Sequence, residues 1–284
     1  IFSLNDVGDL TYPYNNLNGN TETIKEIVED RNEISKIIKE AKKPIIILGQ
    51  SALKSTSARY IFESLKSFLN NNNKLLPEWN SLNIISENAS SVGSLDLGIY
   101  QSLNGTNKIL SDIQNNKFEI IFLLGQDSLN FKKKNEFIIY QGSHGDKGAQ
   151  IADIILPGSA YTEQSGHYTN LEGKLQKAYK ASYPPGNAKE DWQIINELSE
   201  IIGSKKLFTD KEELENSMIN YINLLIKNNS SKKHLNDENL KFIQEDIKIN
   251  VMDYYYSNVI ARASKTMFNC RNEKLKIKST GTEG

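Results

Sequence analysis

The chain has 284 residues, with 34 Lys and Arg against 35 Asp and Glu and a formal net charge of −1. That balance removes the electrostatic case for nucleic acid or an anionic membrane surface as partner. The one cysteine, Cys270, excludes an internal disulfide, an iron–sulfur cluster held by several thiolates and a multi-cysteine zinc site, and the longest apolar run, Ile120 to Leu124, is far short of the ~20 residues of a membrane-spanning helix.

The sequence opens at Ile1 without a signal or transit pattern, which reads as a processed chain or a fragment. Residues 1–20, rich in Gly, Asn and Tyr, read as an extended lead-in. From Thr21 a helical spacing begins with Ile24, Ile27 and Val28 and repeats with Ile34, Ile37, Ile38 and Ala41 until Pro44 stops it. Ile45 to Leu48 reads as a strand apolar on both faces, and such strands are expected to be covered on both sides, as in parallel sheets. Ala58, Ile61, Phe62, Leu65, Phe68 and Leu69 make the next helix, with Ser55 or Thr56 as its cap. Thr106 caps a short helix carrying Ile109, Leu110 and Ile113. Strands are expected at Phe118 to Leu124, Phe137 to Tyr140 and Ile151 to Leu156.

Beyond Pro184-Pro185-Gly186 the texture becomes helical. Asn187 with Glu190 suggests a capping box for a helix whose buried face is Trp192, Ile195, Leu198, Ile201 and Ile202, stopped at Gly203. Asp210 with Glu213 opens another, carrying Leu214, Met218, Tyr221, Ile222 and Leu225. Residues 228–246 read as a polar loop, and Val251 to Met267 as apolar enough to dock on the body. The expected division is a lead-in (1–20), an α/β domain (21–183), a helical C-terminal extension packed on it (184–270) and a flexible tail (271–284).

Residues 141–176 hold the densest chemistry. Gly142, Gly145 and Gly148 follow a strand and can cradle phosphate, but their spacing matches neither the dinucleotide fingerprint nor the P-loop; a tight connection is the plainer reading. His144, Asp146, Glu163 and His167 include metal-ligating types without a ligand spacing. Ser143 and Ser165 lie near histidines but lack a nucleophile elbow. Cys270, beside Arg271, reads as a partly buried inert thiol. Lys132 to Lys134 and Lys232-Lys233 read as solvated loops.

The run Ile151-Ala-Asp-Ile-Ile-Leu-Pro-Gly-Ser-Ala-Tyr-Thr-Glu163, followed by Tyr168-Thr-Asn-Leu-Glu-Gly-Lys-Leu-Gln176, resembles the signature of the molybdopterin oxidoreductase superfamily. Lys43 to Leu53, Ser94 to Gly98, Ile121 to Asp127, Tyr140 to Ala149, Pro184 to Trp192, Asp253 to Tyr255 and Ala261 to Met267 extend the resemblance, in order, to the C-terminal part of the largest iron–sulfur (75-kDa) subunits of respiratory complex I, the mitochondrial form above all. The resemblance implies an α/β fold: a layered, mostly parallel sheet flanked by helices, with a more helical C-terminal part. It implies a structural, non-redox portion of the peripheral arm on the matrix side of the mitochondrial inner membrane, supporting NADH-to-ubiquinone electron transfer coupled to proton translocation, or one half of a split subunit. Its expected partners are other peripheral-arm subunits, the cluster-bearing N-terminal part of the same subunit first, with no nucleic acid and no membrane span. Catalytic, cofactor-binding and metal-ligating residues are expected to be none in this chain, and the iron–sulfur clusters to lie in the N-terminal portion or a partner chain. Lys174 stands where molybdenum-using relatives carry Arg near the pterin, and a lysine offers no bidentate fork. Trp192 and Tyr161 are expected to pack, and His144 and Asp146 to fix the glycine turn. The alternative is a molybdopterin-dependent oxidoreductase subunit of formate-dehydrogenase type.

Overall fold

The computed structural model describes residues 1–5, 8, 11–99, 106–126, 129, 131–145, 147–229, 240–248 and 253–276. Contacts divide the described backbone into two units, one of residues 1–88 and 240–248, the other of 89–229 and 253–276. The boundary between 88 and 89 falls within the span that sequence reads as one α/β domain.

In the first unit, the lead-in contains a parallel pair, β1 (Phe2–Leu4) and β2 (Asn15–Leu17). The helical repeat after Thr21 is two helices: α1 (Thr21–Val28), capped by Asn20, and α2 (Glu33–Glu40), capped by Asn32. The break lies at Asp30, whose φ of 60° no helix continues through, and the Arg31 amide turns back to Glu26 O. Strand β3 (Ile46–Gly49) pairs in parallel with β4 (Leu82–Ile85), which periodicity does not reveal because Asn83 interrupts so short an apolar run. Between them, α3 (Ala58–Asn71) buries Ile61, Leu65, Phe68 and Leu69; Ser57 precedes it, not Ser55 or Thr56. The core gathers Ile24, Leu48, Ile61, Leu65, Leu69, Leu82 and Ile247.

Ile247 comes from a strap, residues 240–247, that returns to this unit from far along the chain. Two fully buried hydroxyls hold it. Thr21 Oγ1 donates to Ile243 O (2.7 Å) and accepts from the Glu245 amide (3.0 Å). Ser57 Oγ donates to the same carbonyl (3.0 Å) and accepts from the Ile243 amide (2.9 Å). The carboxylate of Glu245 accepts from the Ser57 amide (3.1 Å), and the Ile247 amide donates to Gly19 O (2.8 Å).

In the second unit, α4 (Ser91–Asp96) and α5 (Thr106–Gln114) precede a three-stranded parallel sheet: β5 (Ile120–Leu124), β6 (Phe137–Gly142) and β7 (Ile154–Pro157), in that spatial order. Ile151, expected in the last strand, ends α6 (Lys147–Ile151) instead. One sheet face is packed: Leu123, Ile138 and Tyr140 are buried, with Phe131, Ala149, Ile151 and Ala152 against them. A hairpin, β8 (Gly166–Thr169) with β9 (Leu175–Ala178), is the one antiparallel pair among the described strands.

The mixed α/β architecture with parallel sheets flanked by helices agrees with the expected class. Within each unit the described residues do not cover both sheet faces: Ile47 is 59% exposed on β3, Ile120 63% and Leu124 52% on β5.

The helical part follows the sequence with local changes. In α7 (Asp191–Ile201) the buried positions are Ile194, Asn196 and Ser199; Ile201 and Ile202 are 81% and 70% exposed, because Gly203 (φ 83°) ends the helix before its last turn reaches the core. Its cap is Glu190, whose amide donates to Gln193 Oε1 (3.1 Å), not Asn187. Helix α8 (Lys211–Asn229) opens at Asp210 as expected, with the Glu213 amide on Asp210 Oδ1 (2.9 Å) and Thr209 on the Glu213 carboxylate. Tyr221 is exposed. Asn196 ties the α7–α8 connection: Oδ1 accepts from the Leu207 and Phe208 amides (3.1 Å each) and Nδ2 donates to Phe208 O (2.6 Å). Then follow α9 (Val259–Ala263) and α10 (Lys265–Lys276), which carries helix through the first residues of the expected loose tail. Lys232 and Lys233 lie outside the described residues.

Candidate functional site

In parallel sheets, ligands bind beyond the carboxyl ends of the strands, so the ends of β6 and β7 are where a site is sought. Here the chain fills that place with its own groups. Gly158 donates to Gly142 O (3.0 Å), and the 157–159 segment exchanges hydrogen bonds with Lys189 (3.1 and 2.9 Å), so the approach to α7 runs beside β7 like a further strand. Gly142 and Gly158 are required by closeness: a Cβ on Gly142 would lie 2.4 Å from Tyr140 Oη, and one on Gly158 3.0 Å from Asp191 Oδ1 and 3.4 Å from Gly142 Cα.

Gln141, fully buried at the end of β6, donates through Nε2 to Asp191 Oδ1 (2.8 Å) and less closely to Asp191 O (3.3 Å); Gln164 donates to Asp191 Oδ2 (3.2 Å). Asp191 is therefore held by two amides at the start of α7, where the helix dipole favours a carboxylate. Beside it, Glu190 (9% exposed) binds the Lys211 ammonium, lies 3.7 Å from that of Lys180, and accepts from Trp192 Nε1 (3.1 Å). Lys211 also donates to Ser165 O (2.6 Å), which fastens α8 to the loop before β8. Glu163 accepts from the Ala160 amide (2.9 Å) and closes its own turn.

The residues singled out from sequence scatter into separate local duties. Ser143 Oγ and His144 Nδ1 are 3.0 Å apart, and the backbone carbonyl of His144 accepts from Tyr140 Oη (2.6 Å), so the turn is tied to β6 through its backbone and the imidazole meets only its neighbour. Asp146 lies outside the described residues. His167 sits on β8 opposite Lys177, away from any ligand set. Among the described residues no group of three or more His, Cys, Asp or Glu is placed to hold a metal ion. Asn170 Oδ1 accepts from the Glu172 and Lys174 amides (3.0 and 2.9 Å), spending the side chain on its own hairpin turn, and Glu172 and Lys174 are exposed. Trp192 is half-buried on Glu190 as expected, whereas Tyr161 is 50% exposed and does not pack; Cys270 is exposed on α10, not partly buried.

Asp153 has a role that the sequence hides. It accepts from the Ile138 amide (2.8 Å) and pairs with Lys133 (2.5 Å), so Lys133 is bound, not merely solvated. The Ile138 N–H first, then the Lys133 ammonium, hold its carboxyl below the usual range. The Asp191–Gln141–Gln164 contact was also missed, since its members lie up to 50 residues apart.

A pterin dinucleotide needs cationic and amide donors facing its phosphates. The strand ends present two carboxylates, Asp191 and Glu163, that have no cationic partner among the described residues, and the lysines nearby are engaged by Glu190. Gln141 Oε1 and Ser159 Oγ are buried without a hydrogen-bond partner among the described residues, but an amide oxygen repels an anion and one hydroxyl holds it weakly. The residues present do not fit molybdopterin.

The molybdopterin oxidoreductase family model matches residues 1–201. The chain is 38% identical over 279 residues to the "NADH-ubiquinone oxidoreductase 75 kDa subunit" of Reclinomonas americana, covering 95% of this chain and 40% of that protein. With the "NADH-ubiquinone oxidoreductase 78 kDa subunit, mitochondrial" of Candida albicans it shares 33% identity, over 92% of this chain and 37% of the relative. With the 78 kDa subunit of the same name from Neurospora crassa it shares 32% identity, over 94% of this chain and 37% of the relative. The chain thus spans about two fifths of the length of these relatives. With a model match across most of its length and parallel sheets to go with it, the chain belongs to the molybdopterin oxidoreductase family.

Proposed function

We propose that this chain is a structural portion of the peripheral-arm iron–sulfur subunit of mitochondrial complex I. It braces the cluster-bearing portion while electrons pass from NADH to ubiquinone in the proton-translocating complex on the matrix side of the inner membrane. The observation that carries this reading is 38% identity across 95% of the chain to a 75-kDa subunit of NADH-ubiquinone oxidoreductase. A lone cysteine supports placing the clusters elsewhere, in the rest of the subunit or in a partner chain if the subunit is split. The closed strand ends support a scaffold in which no residue of this chain does redox chemistry. Electron tunnelling requires clusters at fixed separations, and packed α/β units whose strand ends are tied by hydrogen bonds are suited to fixing them.

The test is purification through a tag on this chain under native conditions, with mass spectrometry, NADH dehydrogenase activity and metal analysis. A large assembly containing iron–sulfur polypeptides and that activity is expected. Stoichiometric molybdenum or tungsten with pterin fluorescence would overturn the reading in favour of a molybdopterin enzyme, and recovery only as a free monomer would overturn it altogether.

A further inference from the structure

Within the second unit, the β5–β6–β7 sheet has one face that none of that unit's described residues covers. Registered partners on parallel strands point to the same side, so Ile120, Phe122 and Leu124 share a face with Phe137, Ile139, Ile154 and Leu156. Five of these are 38–63% exposed: Ile120, Phe122, Leu124, Phe137 and Ile154. At about 200 Å² per large side chain they leave on the order of 500 Å² of contiguous apolar surface, at the upper end of what monomers show. None of the seven positions is charged. Only the carboxyl end of the face is closed, where Gln141 meets Asp191.

Chain chirality explains why the cover is missing. The strands follow one another in sequence and in space, all parallel. Right-handed crossovers between strands advancing in one direction lie on one side of the sheet. That side is the packed one, where α6 and Phe131 sit. The local connections therefore cannot cover the second face, and a layer for it has to come from another stretch of polypeptide. Parallel sheets are built with both faces covered.

We propose that this face is the seat of an apolar helical layer supplied by the part of the subunit that the relatives carry outside the matched span, roughly three fifths of their length. This rests on the proposed function, since it takes that remainder as the occupant. The absence of charge on the face points to an occupant buried for good, as in an obligate interface or a shared core, not to a transient carrier. The exposed area supplies most of the roughly 800 Å² per partner of a stable contact.

The experiment uses the assembly purified through the tagged chain, with carbene footprinting of side chains and the variants Phe122→Glu and Ile154→Glu. Both positions are solvent-facing in the chain itself, so circular dichroism of the isolated variants is expected to match wild type; Tyr179→Glu, 78% exposed just after β9, is the control. Labelling of Phe122, Phe137 and Ile154 is expected to fall ~tenfold between free chain and assembly, and, where the subunit is split, each sheet variant is expected to retain less than about a tenth of the cluster-bearing polypeptide. If that polypeptide co-purifies with wild type and with both variants equally, or the face labels alike in both states, the docking assignment fails while the functional reading stands. If the free chain doubles in mass and protects the face, the occupant is a second copy and the assignment fails. If the wild-type assembly holds no iron–sulfur clusters, whether on the same polypeptide or on a partner, both fall.

Discussion

Replacing Thr21 by Val and Ser57 by Ala removes the two hydroxyls that hold the 240–247 strap while keeping nearly the same volume. Each hydroxyl is fully buried and makes one donated and one accepted hydrogen bond. A net hydrogen bond is worth about 1 kcal/mol, and an amide left buried without a partner costs about 1–3 kcal/mol. Thr21→Val strands the Glu245 amide and Ser57→Ala the Ile243 amide, so each is expected to cost about 2–3 kcal/mol. Both hydroxyls donate to Ile243 O, so the two losses are coupled: the double variant should cost about 0.5–1 kcal/mol more than the sum, because each single variant leaves the carbonyl one of these donors and the double leaves neither. Urea unfolding of the full chain with an unchanged slope measures the cost, and hydrogen exchange at Ile243 and Glu245 locates it. A Thr21→Val cost under about 0.5 kcal/mol, or no faster exchange at Glu245, refutes the idea that these hydroxyls hold the strap.

Three further outcomes are expected. Ile138→Ala, at a fully buried position in the middle of β6, should destabilise by about 2–5 kcal/mol in the same urea assay. Asn196→Ala removes three bonds to the α7–α8 connection and should cost about 2–3 kcal/mol, with exchange accelerated at Leu207 and Phe208 more than in the sheet. Asp153 is held below its ordinary value near 3.8, so its contribution is present above that value and lost as pH falls through the folded-state value. The urea midpoint should drop between pH 6 and pH 3, and Asp153→Asn should show a smaller drop while starting lower at pH 6.

Sequence conveys this fold where side-chain spacing carries the signal and hides it where distant contacts decide. Helix α3 is legible because its apolar positions recur at helical spacing, and β5 and β6 because short apolar runs end in glycine. The α1–α2 break is not, since Asp30 takes a positive φ that composition does not announce. Strand β4 is hidden by its length of four residues and by Asn83 within it. At the strand ends, Gly142 and His144 are visible as a glycine turn, but the partnership of Gln141 with Asp191 depends on a segment 50 residues away returning beside β7. The expectation of two covered faces failed because hydropathy reports what a strand needs, not which polypeptide supplies it; Ile47 and Ile120 are as apolar as buried positions and stand in solvent.

The strap also sets an order of assembly. Ile247 completes the first core, yet it is made more than two hundred residues after Thr21, with all of β5 to α8 translated in between. On the ribosome the later module is synthesised whole before the earlier one can be sealed. Truncations that stop short of residue 247 should then stall as open, chaperone-dependent species, even though every helix and strand of the opening 88 residues is already present.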